Sequence, residues 1–306
     1  MLAGGRLLPY GRWSCVIIGV RLTRAILREI PAEAITEALA RLYRDANTRL
    51  PEDVLAALRA ARDQEDSPAG REALEQIIRN AEVAAQDSIA MCQDTGVAVV
   101  FLDIGQGVCI TGGGLEKAVN EGVRRGCQEG YLRPSVVADP LQRVNTGDNT
   151  PAVMHVCVVP GDGVRIAVAP KGAGAENKSA LRMLTPADGV EGVKRFVVET
   201  VSAAGPDACP PFVVGVGLGG NFESCALLAK RALLRQVGQP SPEQHLAELE
   251  RELLREVNAL GIGPSGFGGR TTALAVHVEA APCHIASLPV AVNIQCHAAR
   301  HAETTL

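Results

Sequence analysis

What this chain of 306 residues lacks narrows its identity early. There is no Cys-x2-Cys pair, a spacing by which zinc sites usually declare themselves, so zinc is disfavoured. The longest apolar stretches, such as Val97 to Leu102, fall far short of the ~18 residues a membrane span requires. A formal net charge of −4 without a polybasic cluster leaves no electrostatic footprint for nucleic acid or a membrane surface. No Ser/His/Asp or Cys/His hydrolase elbow is present, which leaves hydrolysis through a covalent intermediate unsupported. Nine cysteines, an odd number scattered along the chain, do not form a dense disulfide framework and point to a reducing, cytoplasmic compartment. Internal repeats and low-complexity linkers are also missing. The first ~22 residues lack a convincing secretory cleavage site. Residues 1–22 are expected to be a poorly ordered extension, and residues 23–306 one domain.

What is present reads as a helical start followed by alternating strands and helices. From Pro31 to about Ala90 the pattern is helical: Leu74, Ile77, Ile78 and Ala81 share one face, with Glu75, Arg79 and Glu82 opposite. Val97 to Leu102 is a short apolar strand and Leu115 to Glu129 a helix. Val153 to Val159 and Val164 to Ala169 are β-rich, and the intervening Pro160-Gly161-Asp162-Gly163 predicts a hairpin. Helices follow over Pro186 to Ala203, Asn221 to Arg235 and Pro242 to Leu260, with strands at Phe212 to Val216, Ala273 to Glu279 and Leu288 to Ile294. Without a regular βαβ beat, the expected class is α+β, a helical N-terminal region packed on a mixed β-sheet domain.

The chemistry concentrates in a few segments. Met91-Cys92-Gln93-Asp94-Thr95-Gly96 places a cysteine, an amide and a carboxylate before a tight-turn glycine, where a helix gives way to a strand. Cys209, followed by Pro210-Pro211, and Cys296, ending the last apolar run, sit in comparable settings. Three cysteines from three distant segments are what an iron-sulfur cluster with one open iron needs, and Cys-Pro recurs in such sites. The alternative reading is ordinary core thiols, which Cys15, Cys109, Cys127, Cys157, Cys225 and Cys283 retain. Gly215-Val216-Gly217-Leu218-Gly219-Gly220 matches G-x-G-x-x-G formally, but no acidic strand end follows at the required distance. It reads better as a glycine turn beside the cluster, with helix amides available to an anion. Lys171-Gly172-Ala173-Gly174-Ala175-Glu176-Asn177 offers backbone amides and Lys171 to a carboxylate, or is simply a flexible turn. Arg133 and Arg143 are candidates for bidentate carboxylate recognition. His284, twelve residues before Cys296, is the histidine best placed to deliver a proton near an open metal site; the other five read as core or surface.

Taken in order, Cys92 to Gly96, Asn145-Thr146-Gly147-Asp148-Asn149-Thr150-Pro151, Lys171 to Asn177, Cys209-Pro210-Pro211 with its glycine turn, and Leu288 to Cys296 resemble the iron-sulfur hydro-lyases: class I fumarase and the alpha subunit of L(+)-tartrate dehydratase. The resemblance runs from about residue 30 to 306. It implies a 4Fe-4S cluster held by Cys92, Cys209 and Cys296, with the fourth iron binding a small dicarboxylate substrate. It further implies that Gln93, Arg133, Lys171 and Gly172 bind that substrate, and that Asp94 and His284 take catalytic parts on the oxygen side. Single-chain members of the family carry a second domain with further arginines and the proton-abstracting threonine. This chain ends ten residues after Cys296, so the resemblance implies a beta subunit. The Lys171 loop looks like the fumarase form, which favours fumarate and L-malate over tartrate.

Overall fold

The computed structural model describes residues 27–306; the extension expected over residues 1–22 lies outside them. The element order is β1 (Arg28–Pro31), α1 (Ala32–Thr48), α2 (Glu52–Gln64), α3 (Pro68–Asp87), β2 (Val97–Gly105), β3 (Val108–Thr111), α4 (Leu115–Glu129), β4 (Val153–Val159), β5 (Val164–Lys171) and α5 (Ala173–Glu176). It continues with β6 (Ala180–Leu184), α6 (Gly189–Ala204), β7 (Phe212–Gly219), α7 (Ser224–Ala232), α8 (Gln244–Asn258), β8 (Ala273–Ala281), β9 (Leu288–Gln295) and β10 (Ala302–Thr305). The mixture of α and β is as expected, but the strands form two four-stranded mixed sheets, ordered β10-β5-β2-β4 and β6-β9-β7-β8, together with a parallel pair, β1-β3.

The predicted hairpin between β4 and β5 is not formed. Both strands pair with β2 instead, β4 parallel and β5 antiparallel, so that β2 is inserted between them. Its end is hydrogen-bonded by the connecting loop, with Gly105 N–H donating to Gly163 and Gly107 N–H to Gly161. The turn residues were read correctly and the pairing was not, because a local turn signal cannot exclude a third strand from the gap it spans.

The two sheets are layered through helices. On the first sheet, Ala98, Val100, Leu102, Ile166 and Val168 pack against Ile35, Leu39 and Leu42 of α1 and Val119 and Val123 of α4. The other face of that sheet, Val99, Phe101 and Ala167, meets Leu227 of α7 and Leu234 just beyond it. On the second sheet, Phe212, Val214 and Val216 point to α6 and α8, burying Val193, Phe196, Val197, Leu246, Leu249 and Leu253. The period-2 alternation of β7 turns Gly215 and Gly217 to the opposite side, toward α7. A Cβ at Gly217 would lie 2.0 Å from the Cys225 carbonyl oxygen, and one at Gly215 would lie 2.2 Å from that of Ala229. These glycines therefore let a helix backbone rest directly on the strand. Helices α2 and α3 cover the second sheet's edge, where Leu58, Leu74, Ile77 and Ile78 pack with Val213 and Ala275. The predicted amphipathic face of α3 is the buried one.

A methyl group at this contact has no space to occupy. Gly217→Ala should destabilise the fold by roughly 1–3 kcal/mol, the usual cost of overpacking a close-packed core. The measurement is the urea midpoint, and an unchanged midpoint would show that α7 can lift off β7 freely.

Candidate active site

Strands β7 and β9 run antiparallel with Val213 opposite Gln295, so the residues just before β7 and just after β9 emerge at one edge of the sheet. Those residues are Cys209 and Cys296. A backbone hydrogen bond from His297 N–H to the Cys209 carbonyl (3.1 Å) joins the two segments, and the His297 ring nitrogen Nδ1 lies 3.2 Å from the same oxygen. Cys92 reaches this edge from the turn after α3, where Met91 is pinned on both sides. Its N–H donates to the Asn47 carbonyl of α1 (3.0 Å), and its carbonyl accepts from the Asn80 side chain of α3 (2.8 Å). Cys92 and Cys296 then pack against the same small cluster of Ala84, Met91 and Ala298. Cys209 adopts φ 58°, ψ 68°, a left-handed conformation uncommon for a residue with a side chain and of the kind that collects at functional sites.

All three are free thiols. Desolvation pushes Cys296 up, and Cys92 adds to the effect; Arg300 pulls the other way. Cys209 is likewise raised by desolvation and then by Cys92. A thiolate at Cys92 thus opposes deprotonation of both Cys209 and Cys296, a repulsion that a bound cation would relieve. Among the described residues no group of three or more His, Cys, Asp or Glu side chains could hold a metal ion at a single centre. A polynuclear cluster spreads its thiolates more widely than a single ion does, and the three cysteines, backed by the buried cations Lys171 and Arg300, fit such a group.

The segments beside Cys92 are tied to the rest of the site by Asp94. Its Oδ1 accepts from Gly96 N–H (3.0 Å) and its Oδ2 from Ala173 N–H (2.7 Å), the latter at the start of α5. Gly96, at φ 74°, lets the two loops touch: a Cβ there would sit 2.7 Å from the Lys171 backbone. Gly172 leaves room for the same carboxylate, 3.1 Å from where its own Cβ would lie. Gln93 is exposed, with its Oε1 3.3 Å from the Cys92 sulfur. Arg133 is also exposed and anchored through its carbonyl, which accepts from Thr95 Oγ1 (2.6 Å) and Asn149 Nδ2 (3.1 Å). The Asn145 to Pro151 motif thus contributes a buried strut, Asn149, rather than a reactive group.

Between the first sheet and the helices α5 and α7 lies a cavity of about 350 Å³ lined by Asp94, Ser135, His155, Lys171, Glu176 and Lys230, among others. Lys171 is buried, with its Nζ 3.1 Å from Glu176 Oε2, and Lys230 pairs with Oε1 of the same carboxylate. Burial pushes Lys171 below the ordinary lysine value, against the pull of Glu176. Although burial alone would raise Glu176, Lys171 and Lys230 together hold its carboxyl down at about 2. Burial, then Arg231 and Lys230, lowers His155. Lys171 and Lys230 stand against the carboxylates of Glu176 and Asp94, so the cavity offers two ammonium groups to an anion while its formal charges balance.

Of the residues expected at the site, Cys92, Gln93, Asp94, Arg133, Lys171, Gly172, Cys209 and Cys296 lie on segments that the fold brings together, and His284 does not. It is exposed in the turn joining β8 to β9, at the start of β9, whereas Cys296 follows its end. Eight strand residues at about 3.3 Å each separate them by roughly 25 Å. The glycine turn is displaced for the same reason: Gly219 pairs with Ala281 at the far edge of the sheet, and Gly215 and Gly217 are strand residues. The amides expected to be free for an anion at that turn are already engaged, since Asn221 Oδ1 accepts from both Glu223 and Ser224 N–H. Arg143 is exposed at φ 60° in the loop beyond Arg133. Sequence reasoning missed Lys230, His155 and Arg300; only the last had a local signal, its closeness to Cys296.

A fold that gathers three free thiols beside a cavity lined by two lysines, two carboxylates and an imidazole concentrates reactive groups as an enzyme site does. The chain belongs to the fumarate hydratase (Fumerase) family, whose profile matches residues 36–305. It is 45% identical over 276 residues to the putative L(+)-tartrate dehydratase subunit alpha of Methanocaldococcus jannaschii, covering 88% of this chain and 96% of that one. It is 34% identical over 270 residues to the L(+)-tartrate dehydratase subunit alpha of Escherichia coli (strain K12), covering 87% and 88%.

Glu176 carries a testable consequence. Because its carboxyl is held below the free value, its contribution to stability is complete above the ordinary carboxylate range and falls away as pH drops from there toward 2. Glu176→Gln should lower stability at neutral pH by roughly 1–3 kcal/mol, having left Lys171 buried without its counter-charge. Denaturant unfolding at several acidic pH values should show the gap to wild type closing as pH falls; a gap that widens would contradict the assignment.

Proposed function

We propose that this chain is the alpha-type subunit of an iron-sulfur hydro-lyase that reversibly hydrates fumarate to L-malate, with Cys92, Cys209 and Cys296 holding a 4Fe-4S cluster. The observation that carries the reading is the meeting of three free thiols from distant segments at one sheet edge, next to a cavity with two lysines. When bound, such a cluster supplies a Lewis-acidic iron able to polarise a hydroxyl or carboxylate oxygen.

The chain's own residues then have separable parts. Lys171 and Lys230 offer ammonium groups to a dicarboxylate in the cavity, and Glu176 pairs with both. Gln93 and Arg133, exposed beside Cys92 and Thr95, offer an amide and a guanidinium to the substrate's polar ends. Asp94, with both oxygens accepting backbone N–H bonds, orients the Lys171 loop against the Cys92 loop and lines the cavity on the oxygen side. The proton-abstracting base comes from a beta subunit, a partner that the "subunit alpha" names of the relatives support. His284, at the far sheet edge, takes part only if it is presented to the site of another polypeptide. We read the setting as cytoplasmic, and no described helix is long and apolar enough to cross a membrane.

The same geometry serves a second reading, dehydration of L(+)-tartrate, which the 45% identical relative favours by its name. The two hydroxy acids differ by one hydroxyl, and the Lys171 loop that inclined the reading to fumarase contacts only part of the pocket.

Anaerobic co-expression with a beta-type partner, followed by assay on fumarate, L-malate and both tartrate enantiomers, separates the two. Cys92→Ser, Cys209→Ser and Cys296→Ser should each abolish the brown cluster absorbance and the activity. Full activity in any of the three would sink the ligand assignment.

A further inference from the structure

Arg300 is a buried arginine, 3% exposed, near the end of the chain. Its guanidinium joins two segments, and its backbone ties in a third. Nη2 donates to the Asp94 carbonyl, two residues beyond Cys92. Nε lies 3.5 Å from the Pro170 carbonyl, which precedes Lys171. Its own backbone folds back through a bond from Arg300 N–H to the Ala298 carbonyl (2.8 Å), four residues or fewer from Cys296. The remaining nitrogen, Nη1, is buried without a hydrogen-bond partner. Leaving a donor of a charged group unmade inside a protein is costly, so such a group in a native fold calls for an acceptor that the protein chain does not supply.

Resting on the cluster-binding reading above, we infer that Arg300 is a positioning residue for the cluster: its fork holds the Cys92 and Lys171 loops at the Cys296 edge, and its free nitrogen and charge face the anionic group bound there. Three thiolates around an iron-sulfur core leave a net negative charge in a place of low dielectric, where a fixed cation lowers the cost of burying it. Hydrogen bonds and net charge around the sulfurs also set the reduction potential of such clusters. Arg300 is well suited to this part because guanidinium remains charged under all working conditions and presents several donors in one plane. It does not line the cavity that Lys171 and Asp94 line, so it makes no direct contact with a substrate held there.

The test uses the full chain with its beta-type partner, reconstituted anaerobically, and compares wild type with Arg300→Met and Arg300→Lys. Three quantities are read: the rate at which the cluster absorbance is lost in air, the midpoint potential of the dithionite-reducible cluster followed by electron paramagnetic resonance, and KM for the dicarboxylate. Arg300→Met should lose its cluster at least tenfold faster. Its reduction equilibrium should shift at least tenfold toward the oxidised form, about 59 mV lower for one electron, because a cation that favours the added electron is gone. Arg300→Lys should recover the potential, having kept the charge, while still losing the cluster faster than wild type for want of the fork. KM should stay within threefold in both. If Arg300→Met fails to fold, Arg300→Gln replaces it, and equal potentials in the Gln and Lys variants would overturn the inference. Normal uptake with wild-type potential and air stability in Arg300→Met would overturn it alone, whereas a wild-type chain that takes up no cluster would overturn it together with the reading on which it rests.

Discussion

The antiparallel register of β7 with β9 is the constraint on which the site depends. It puts the residue preceding one strand and the residue following the other at the same edge, so that Cys209 and Cys296, 87 positions apart, become neighbours. The pairing is stabilised from both sides, by the apolar face shared with α6 and α8 and by the close approach of α7 that Gly215 and Gly217 permit. A one-residue slip would turn Val214 and Val216 away from the core and break the link between His297 and Cys209. The chemistry is therefore referenced to the most heavily buried element of the fold rather than to a mobile loop.

The third thiol and the polar loops are brought in by hydrogen bonds to backbone groups. The Asn80 side chain fixes Met91, Asn149 and Thr95 fix Arg133, and Asp94 joins the Cys92 turn to α5. Side chains bonded to main-chain atoms locate a segment without demanding a particular neighbour, which suits turns that must hold the reactive groups steady. The buried charges follow another rule. Lys171 and Arg300 are enclosed with incomplete hydrogen bonding, and among the described residues Glu176 is the carboxylate paired with both Lys171 and Lys230. Such an arrangement is electrostatically expensive unless an anion joins it, and both a dicarboxylate and a thiolate-bound cluster are anionic.

The same sheet that assembles the thiols separates them from the turn at its other end. Gly219, Gly220, Cys283 and His284 gather at that far edge, with Phe222 and Ile285 exposed beside them. A strand is too stiff and too long to fold one of its ends back onto the other, so what a resemblance places in one catalytic neighbourhood is here divided between two edges.

Much of this was legible in the sequence because it depends on local pattern. The amphipathic face of α3, the apolar runs of β2, β7, β8 and β9, and the helices α6 and α8 follow from periodicity, since burial of one face acts on residues close along the chain. The three cysteines stood out by their flanking residues, and their order matched a family. Pairing was not legible: the turn between β4 and β5 was visible, but the insertion of β2 between them is a long-range choice. Nor did the glycines of β7 disclose whether they formed a turn or made room for α7. The sequence by itself determined which residues are able to bind a metal and an anion and which faces must be buried. Only the tertiary structure decided that Lys230 and Arg300 join Lys171 near the thiols while His284 stands a strand's length away, because distance between remote residues is set by sheet register and helix packing, which no local spacing encodes.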